Sequence, residues 1–322
     1  MSVTFRFHPV DRAAEYLALL RDGLDPDFPE TRFRWLHAEG PWGPSRLAVC
    51  EANGRLVGGY AVTPRRGERD GRELWLGRDL DPVVHPDWRG RGLFGRLLEH
   101  AAAEPLPVAL HYNFANPASA PGFRRHGWRD AGPIRDAAWQ TSVTRPLSME
   151  LPLWLAGRLR PRRRSPVREL DRPAVERLLA APPPPPAAPG RVRVVRSADY
   201  LAWRYLRHPW RTYRWFTAET EPPLTAVVSH HPERRRLLIV ELLGGGERPD
   251  LGPLLQAWDT LFPRTWIALW STTPRHLRRH LLVNPLRRGG GTFLVRPAAG
   301  EPPPSTLQPA GWYLTAGDLE IL

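Results

Sequence analysis

Hydrophobic and polar positions change period along this chain, and each change marks an element. Val3–His8 alternates apolar and polar residues, as a half-buried strand does, and Asp11–Gly23 sets apolar residues at helical spacing behind an aspartate. The pattern then predicts a Trp-rich helical turn at Phe33–Leu36 and strands at Arg46–Glu51, Arg55–Thr63 and Glu73–Val84. A helix at Leu93–Ala103, a strand at Val108–Phe114, a short helix at Ala118–His126 and a strand at Ile134–Thr144 complete the first half. The second half reads as helices at Asp171–Ala181 and Ala198–Leu206 and strands at Thr212–Glu219, Leu224–His230 and Arg236–Leu243. It ends with a helix at Leu251–Leu261, a strand at Thr265–Ser271, a helix at Arg275–Val283 and strands at Gly291–Arg296 and Trp312–Leu322. Strands interleaved with Gly- and Pro-bounded helices predict an α/β fold in two layered domains.

The order of elements repeats, and so do residues. Trp35, Pro41, Trp42, Arg46, Glu51 and Leu56 recur as Trp203, Pro209, Trp210, Arg214, Glu219 and Leu224, all at an offset of 168. The helix starts at Asp11 and Asp171 share Asp-Arg-x-Ala at an offset of 160, so the polyproline tract at residues 182–189 reads as an insertion within the second repeat. Three segments are expected: a domain over 1–146, a basic linker over 147–166 and a second domain over 167–322. Tryptophans that recur by duplication are read as packing residues.

Composition narrows the classes. No apolar run reaches the length of a membrane span, and the first residues lack a leader pattern, so a cytoplasmic location is expected. Cys50 is the sole cysteine, which leaves no internal disulfide and no cysteine-rich metal site, and its place in a strand argues against a nucleophile. His276 and His280 stand four apart without a carboxylate beside them, so no metal is expected. Net charge is +13, and every cation is arginine. Phosphate-bearing partners would use that charge, but a biased base composition also explains it. A nucleic-acid partner is therefore the less favoured reading.

One stretch asks for an anion. "VVHPDWRGRGLFGRLL", from Val83, sets Arg89, Gly90, Arg91, Gly92, Leu93, Phe94 and Gly95 between a strand and a helix. The first turn of a helix offers unpaired N–H groups and partial positive charge, and glycine lets a ligand touch them.

With "NFANPASAPGFRRHGW" further on, this stretch resembles the GNAT superfamily of acetyl-coenzyme A dependent N-acetyltransferases. Arg89 and Gly92 stand in the first two fixed places of that family's loop, and Asn116, Ser119, Phe123, Gly127 and Trp128 stand in register with its later segment. The resemblance implies tandem GNAT-like domains, each a mixed, largely antiparallel sheet flanked by helices. It implies that the loop amides hold the pyrophosphate, with Arg89 and Arg91 as added cations. It also implies that Val83 and Val84 pair with the pantetheine arm, that the sheet splays at Tyr112–Phe114, and that Asn116 fastens the arm.

The departures matter too. Phe94 replaces a small residue, and Phe123 stands where many members carry the tyrosine that protonates the thiolate; Tyr112 or His126 would have to substitute. For the base, Asp81 is the first choice, with Asp79 and His111 as alternatives, the two aspartates being expected on one face of their strand. A strand-end ion pair is the competing account of Asp81. The second half carries Glu241 and Glu247 around Gly244–Gly246 and lacks the first arginine, so it is expected to be a degenerate domain without coenzyme A. The expected activity is acetyl transfer to a small-molecule amine, with a catalytically silent acyl-coenzyme A binder as the alternative. Acceptor and oligomeric state are not specified by the sequence.

Overall fold

The computed structural model of the protein describes residues 3–8, 12–103, 106–140, 165–184, 189–246, 249–271, 282–298, 306 and 311–319. In chain order its strands are β1 (Thr4–His8), β2 (Arg46–Ala52), β3 (Arg55–Arg69), β4 (Arg72–Val84), β5 (Leu110–Ala115), β6 (Arg129–Gln140) and β7 (Val167–Leu170). They continue as β8 (Val192–Val194), β9 (Arg214–Ala218), β10 (Leu224–His231), β11 (Arg236–Gly244), β12 (Trp266–Ser271), β13 (Leu282–Pro297) and β14 (Trp312–Tyr313). The helices are α1 (Ala13–Gly23), α2 (Glu30–His37), α3 (Leu93–Ala103), α4 (Ala120–Arg125), α5 (Arg172–Ala180), α6 (Ala198–Leu201) and α7 (Gly252–Leu261). Two compact units emerge: Met1–Gly132 with Gly291–Gln308, and Pro133–Gly290 with Pro309–Leu322. Most of the expected basic linker lies outside the described residues, as do His276, His280 and Glu247.

In the first unit, β1 to β5 lie side by side in sequence order, and Thr292–Pro297 of β13 covers the far edge of β5. All neighbours are antiparallel except β4 and β5. Alternation along β2 sorts its residues between two layers. Leu47 and Val49 pack with α1 and α2, whereas Ala48 and Cys50 pack with α3 and α4. Burial pushes the Cys50 thiol up to about 12, so it behaves as a small apolar side chain.

The second unit repeats the plan. The Arg135–Gln140 stretch of β6 pairs with β12, followed by β11, β10, β9 and β7, with β11 and β12 parallel. Bulges interrupt the antiparallel pair before each parallel one, at Gly59/Ala61 and at Val227/Val228, again 168 residues apart. The duplication thus extends from residues to backbone irregularities.

Three sequence expectations need amendment. Val167–Leu170 and Val192–Val194 are additional strands too short to carry a period. The strand expected at Trp312–Leu322 stops at Tyr313, because the Asp318 carboxylate accepts the Thr315 N–H at 2.8 Å and closes a turn over Ala316–Leu319. Trp35 and Trp203 are buried as expected, but Trp210 is 43% exposed beside His208.

Candidate active site

The site lies where the sheet of the first unit comes apart. β4 and β5 pair through Leu76–Leu110, Gly77–His111 and Arg78–Tyr112, and pairing ends there although β4 continues to Val84. This is the splay anticipated at Tyr112–Phe114. The V is made by two local features. Asp81 adopts a left-handed φ of 47° opposite the β3 irregularity, and Pro82 follows it without an N–H to give to a ladder. The His85 N–H bonds to Val57 O on the β3 side, so by strand alternation the Val84 groups turn toward the open side.

At the mouth of the V, Pro86–Trp88 makes one helical turn, and Arg89–Gly92 leads into α3. Gly90 and Gly92 have φ of 74° and 71°, and a Cβ on either would meet nothing within 4 Å. The first-turn amides of α3 therefore border open space, the condition for holding an anion. A cleft of about 370 Å³ runs along this loop, lined by Val83, Val84, Arg89, Gly90, Gly92, Leu93, Phe94, Asn116 and Ser119 among others. Nine expected cofactor residues thus share one wall system.

Phe123, Gly95 and Arg91 are not among the cleft's lining residues. Phe123 is fully buried edge-on to Phe94 at 5.3 Å, and its ring has no proton to give. Gly95 is required by His126, whose ring would lie 2.5 Å from a Cβ. That ring faces α3, with its Nδ1 3.4 Å from Glu99 Oε1. Arg91 stacks on Trp88 and donates to Asp87 O at 3.1 Å, bracing its own loop. Asn116 Oδ1 accepts the Ser119 N–H at 2.8 Å, which fixes the turn into α4.

The candidate acid–base residues are divided by the bulge. Asp79 is buried with Tyr60 and His111: the Tyr60 hydroxyl donates to its carboxylate, and His111 Nδ1 lies 3.2 Å away. Burial first, and then the Asp79 carboxylate, push the Tyr60 phenol well above its usual range, so it stays protonated. Asp81 turns to the other face, where its Oδ2 meets His37 Nε2 at 3.1 Å and its carbonyl accepts from Tyr16 at 2.8 Å. The left-handed residue breaks the strand alternation, so the expected shared face of the two aspartates is not realised. Burial tends to raise the Asp81 carboxyl, but the bond from His37 and the nearby charges of His37, Arg32 and Arg78 outweigh it and hold it below its ordinary value.

Arg78, His37 and Tyr60 went unrecognised in the sequence. Arg78 spans the opening, donating to Asp79 O at 2.7 Å and to Asn113 Oδ1 at 3.3 Å, with its guanidinium over Phe114 and Tyr112. Tyr112 is thereby placed beneath a cation.

Comparisons agree with this geometry. Residues 10–131 match the family model described as acetyltransferase (GNAT) domain. A probable N-acyltransferase from Enterococcus faecalis superposes with a TM-score of 0.66 at 12% identity, over 92% of this chain and 73% of that one. Eis1 from Mycobacterium abscessus gives 0.59 at 16% identity, over 92% and 74%. A tandem GNAT protein from the clavulanic acid biosynthesis pathway gives 0.50 at 15% identity, over 94% and 100%. No curated protein matches the sequence. Residues 10–131 thus match a GNAT acetyltransferase domain model, and the chain shares its fold with a tandem GNAT protein.

Proposed function

We propose that the first unit transfers an acetyl group from acetyl-coenzyme A to the amine of a small molecule. The observation that carries this reading is the open cradle at Gly90 and Gly92, set at the mouth of a V whose edge is Val84. The loop and first-turn amides of α3 suit a pyrophosphate, and the Val84 edge suits an amide-bearing arm by strand addition. The thioester supplies an activated acyl group, so the chain has only to orient it, polarise its carbonyl and accept a proton from the amine. The Val84 N–H is the strand donor that faces the acyl end.

Asp79 and His111 close the apex of the V, and we assign proton acceptance to this pair, relayed through water from the acceptor ammonium. Asp81 has a lowered affinity for protons and a committed partner, which fits a brace of the bulge better than a base. Phe123 leaves the thiolate unassisted, a tolerable loss because a thiol pKa of about 8–9 makes a fair leaving group. The second unit is assigned no donor site.

Calorimetric titration with acetyl-coenzyme A, followed by thiol release against an amine panel, tests the reading. One equivalent bound and thiol released only with an amine is the expected result. Binding without release under every amine assigns the protein to the silent binders, and no binding removes the donor altogether.

A further inference from the structure

We propose that Arg89 is a positioning residue that sets the width of the donor cleft and acts on the thioester arm instead of its phosphates. The inference rests on the reading of the cleft as an acetyl-coenzyme A site. Arg89 Nε donates to Val84 O at 3.2 Å, and its Nη2 donates to Gly23 O at 2.6 Å. These two acceptors belong to different elements: Val84 ends β4, and Gly23 ends α1. A planar guanidinium with donors fixed in a fork holds two such carbonyls at a set separation, and the helix-end carbonyl adds the attraction of the α1 dipole.

Gly23 shows how narrow that separation is. A Cβ there would come 2.6 Å from Val83 Cγ2 and 3.2 Å from Val84 O. Gly23, Val84 and Arg89 all line the same cleft, so the end of α1, the free edge of β4 and the loop converge on one side chain. Val84 O also faces the open side of the V, where an amide-bearing arm would bond. A carbonyl has two lone pairs, so Arg89 occupies one and orients the other toward the arm. Arg91 differs, since it donates to Asp87 O and stacks on Trp88 within its own loop.

The decisive experiment compares acetyl-coenzyme A with S-acetylpantetheine, which has the same thioester arm and no phosphate, on wild type, Arg89→Ala and Arg89→Lys. A positioning role predicts that Arg89→Ala raises KM for both donors by the same factor, about tenfold, with kcat little changed. Lysine reaches one carbonyl at a time and restores part of the loss for both. A loss confined to acetyl-coenzyme A makes Arg89 a phosphate ligand and overturns the proposal; no loss with either donor overturns it too. Hydrogen exchange of the ligand-free protein supplies a readout that needs no turnover. Leu24 and Asp25 N–H, both bonded to Leu20 O, exchange several-fold faster in Arg89→Ala if the brace is real, and unchanged exchange overturns it. A wild type that binds neither donor removes the donor reading, and the exchange result alone then decides whether Arg89 braces α1 against β4.

Discussion

The two units each open their sheet beyond a parallel strand pair and then treat the opening in contrary ways. In the first, parallel pairing stops at Arg78–Tyr112; in the second it stops at Ile239–Leu269. Beyond those points Pro82, Val83 and Val84 border a cleft of about 370 Å³, whereas the turn Ala316–Leu319 packs on both β11 and β12. Gly317 lies so close that a Cβ would meet Tyr205 Oη at 2.0 Å and Val240 O at 3.1 Å. The loops differ likewise. Gly244 and Gly245 share the positive φ of Gly90 and Gly92, but their amides are spent on Pro184 O and Pro223 O, and Asp250 Oδ1 takes the first amide of α7. The polyproline tract therefore begins by filling the turn that the first unit leaves open. An anion site is lost as thoroughly by satisfying its donors within the chain as by removing its cations.

The filled opening needs charge to hold it. Arg196 is wholly buried and bonds Glu241 and Asp318, each at 2.7 Å, while Tyr205 donates to Glu241 at 3.1 Å. Replacing Arg196 with methionine strands two carboxylates without their cation, and a loss of about 3–5 kcal/mol in chemical denaturation is expected. A loss under about 1 kcal/mol would mean that the plug is held by packing alone.

Donor affinity separates the loops next. Gly92→Asp sets an anion and a disfavoured φ in the open cradle, and acetyl-coenzyme A affinity should fall at least about a hundredfold by calorimetry. Gly246→Asp, also at positive φ, should leave affinity within about twofold of wild type. A comparable loss from the second substitution would place a donor site in the second unit.

How much of this was readable beforehand depends on whether a residue speaks through local pattern or through partners distant in sequence. The α3 helix and its loop obey spacing and glycine chemistry, so Leu93–Ala103 and the nine cleft residues were legible. Arg78, His37 and the Arg196 network owe their roles to contacts up to 122 residues apart, which no period encodes. Asp81 misled because a two-residue spacing implies one face only while a strand stays regular, and the left-handed residue is itself the irregularity.

Alanine at the paired glycines isolates packing from backbone strain. Gly92→Ala and Gly244→Ala share the cost of a left-handed side chain, about 1 kcal/mol. Only the second brings a Cβ to 2.1 Å from the backbone Pro223 O, so it should lose about 1–2 kcal/mol more in thermal or urea unfolding. Equal losses would show that the second loop shifts freely, and the contrast between open and filled turns would fail.

The smallest effect is a difference of sign. Asp81 and Glu241 lie at the two bulges and meet His37 and Tyr205, residues 168 apart, yet their carboxyl groups shift oppositely. Asp81 is held below its ordinary value, the pull of His37 outweighing burial, whereas burial raises Glu241 despite Arg196. A lowered carboxyl contributes stability that is complete above the unfolded value and drains away as pH falls through the folded one. A raised carboxyl contributes stability that is complete below the unfolded value and is lost as pH rises through the folded one. Asp81→Asn should therefore cost about 1–2 kcal/mol near neutral pH, with the gap to wild type narrowing as pH falls below the ordinary carboxylate range. For Glu241→Gln the wild type gains relative to the variant as pH falls, so the two gaps must slope in opposite directions. Parallel slopes in urea melts from pH 7 to the acid limit of folding would mean that the bulges share one electrostatic environment, and that the units differ in their loops alone.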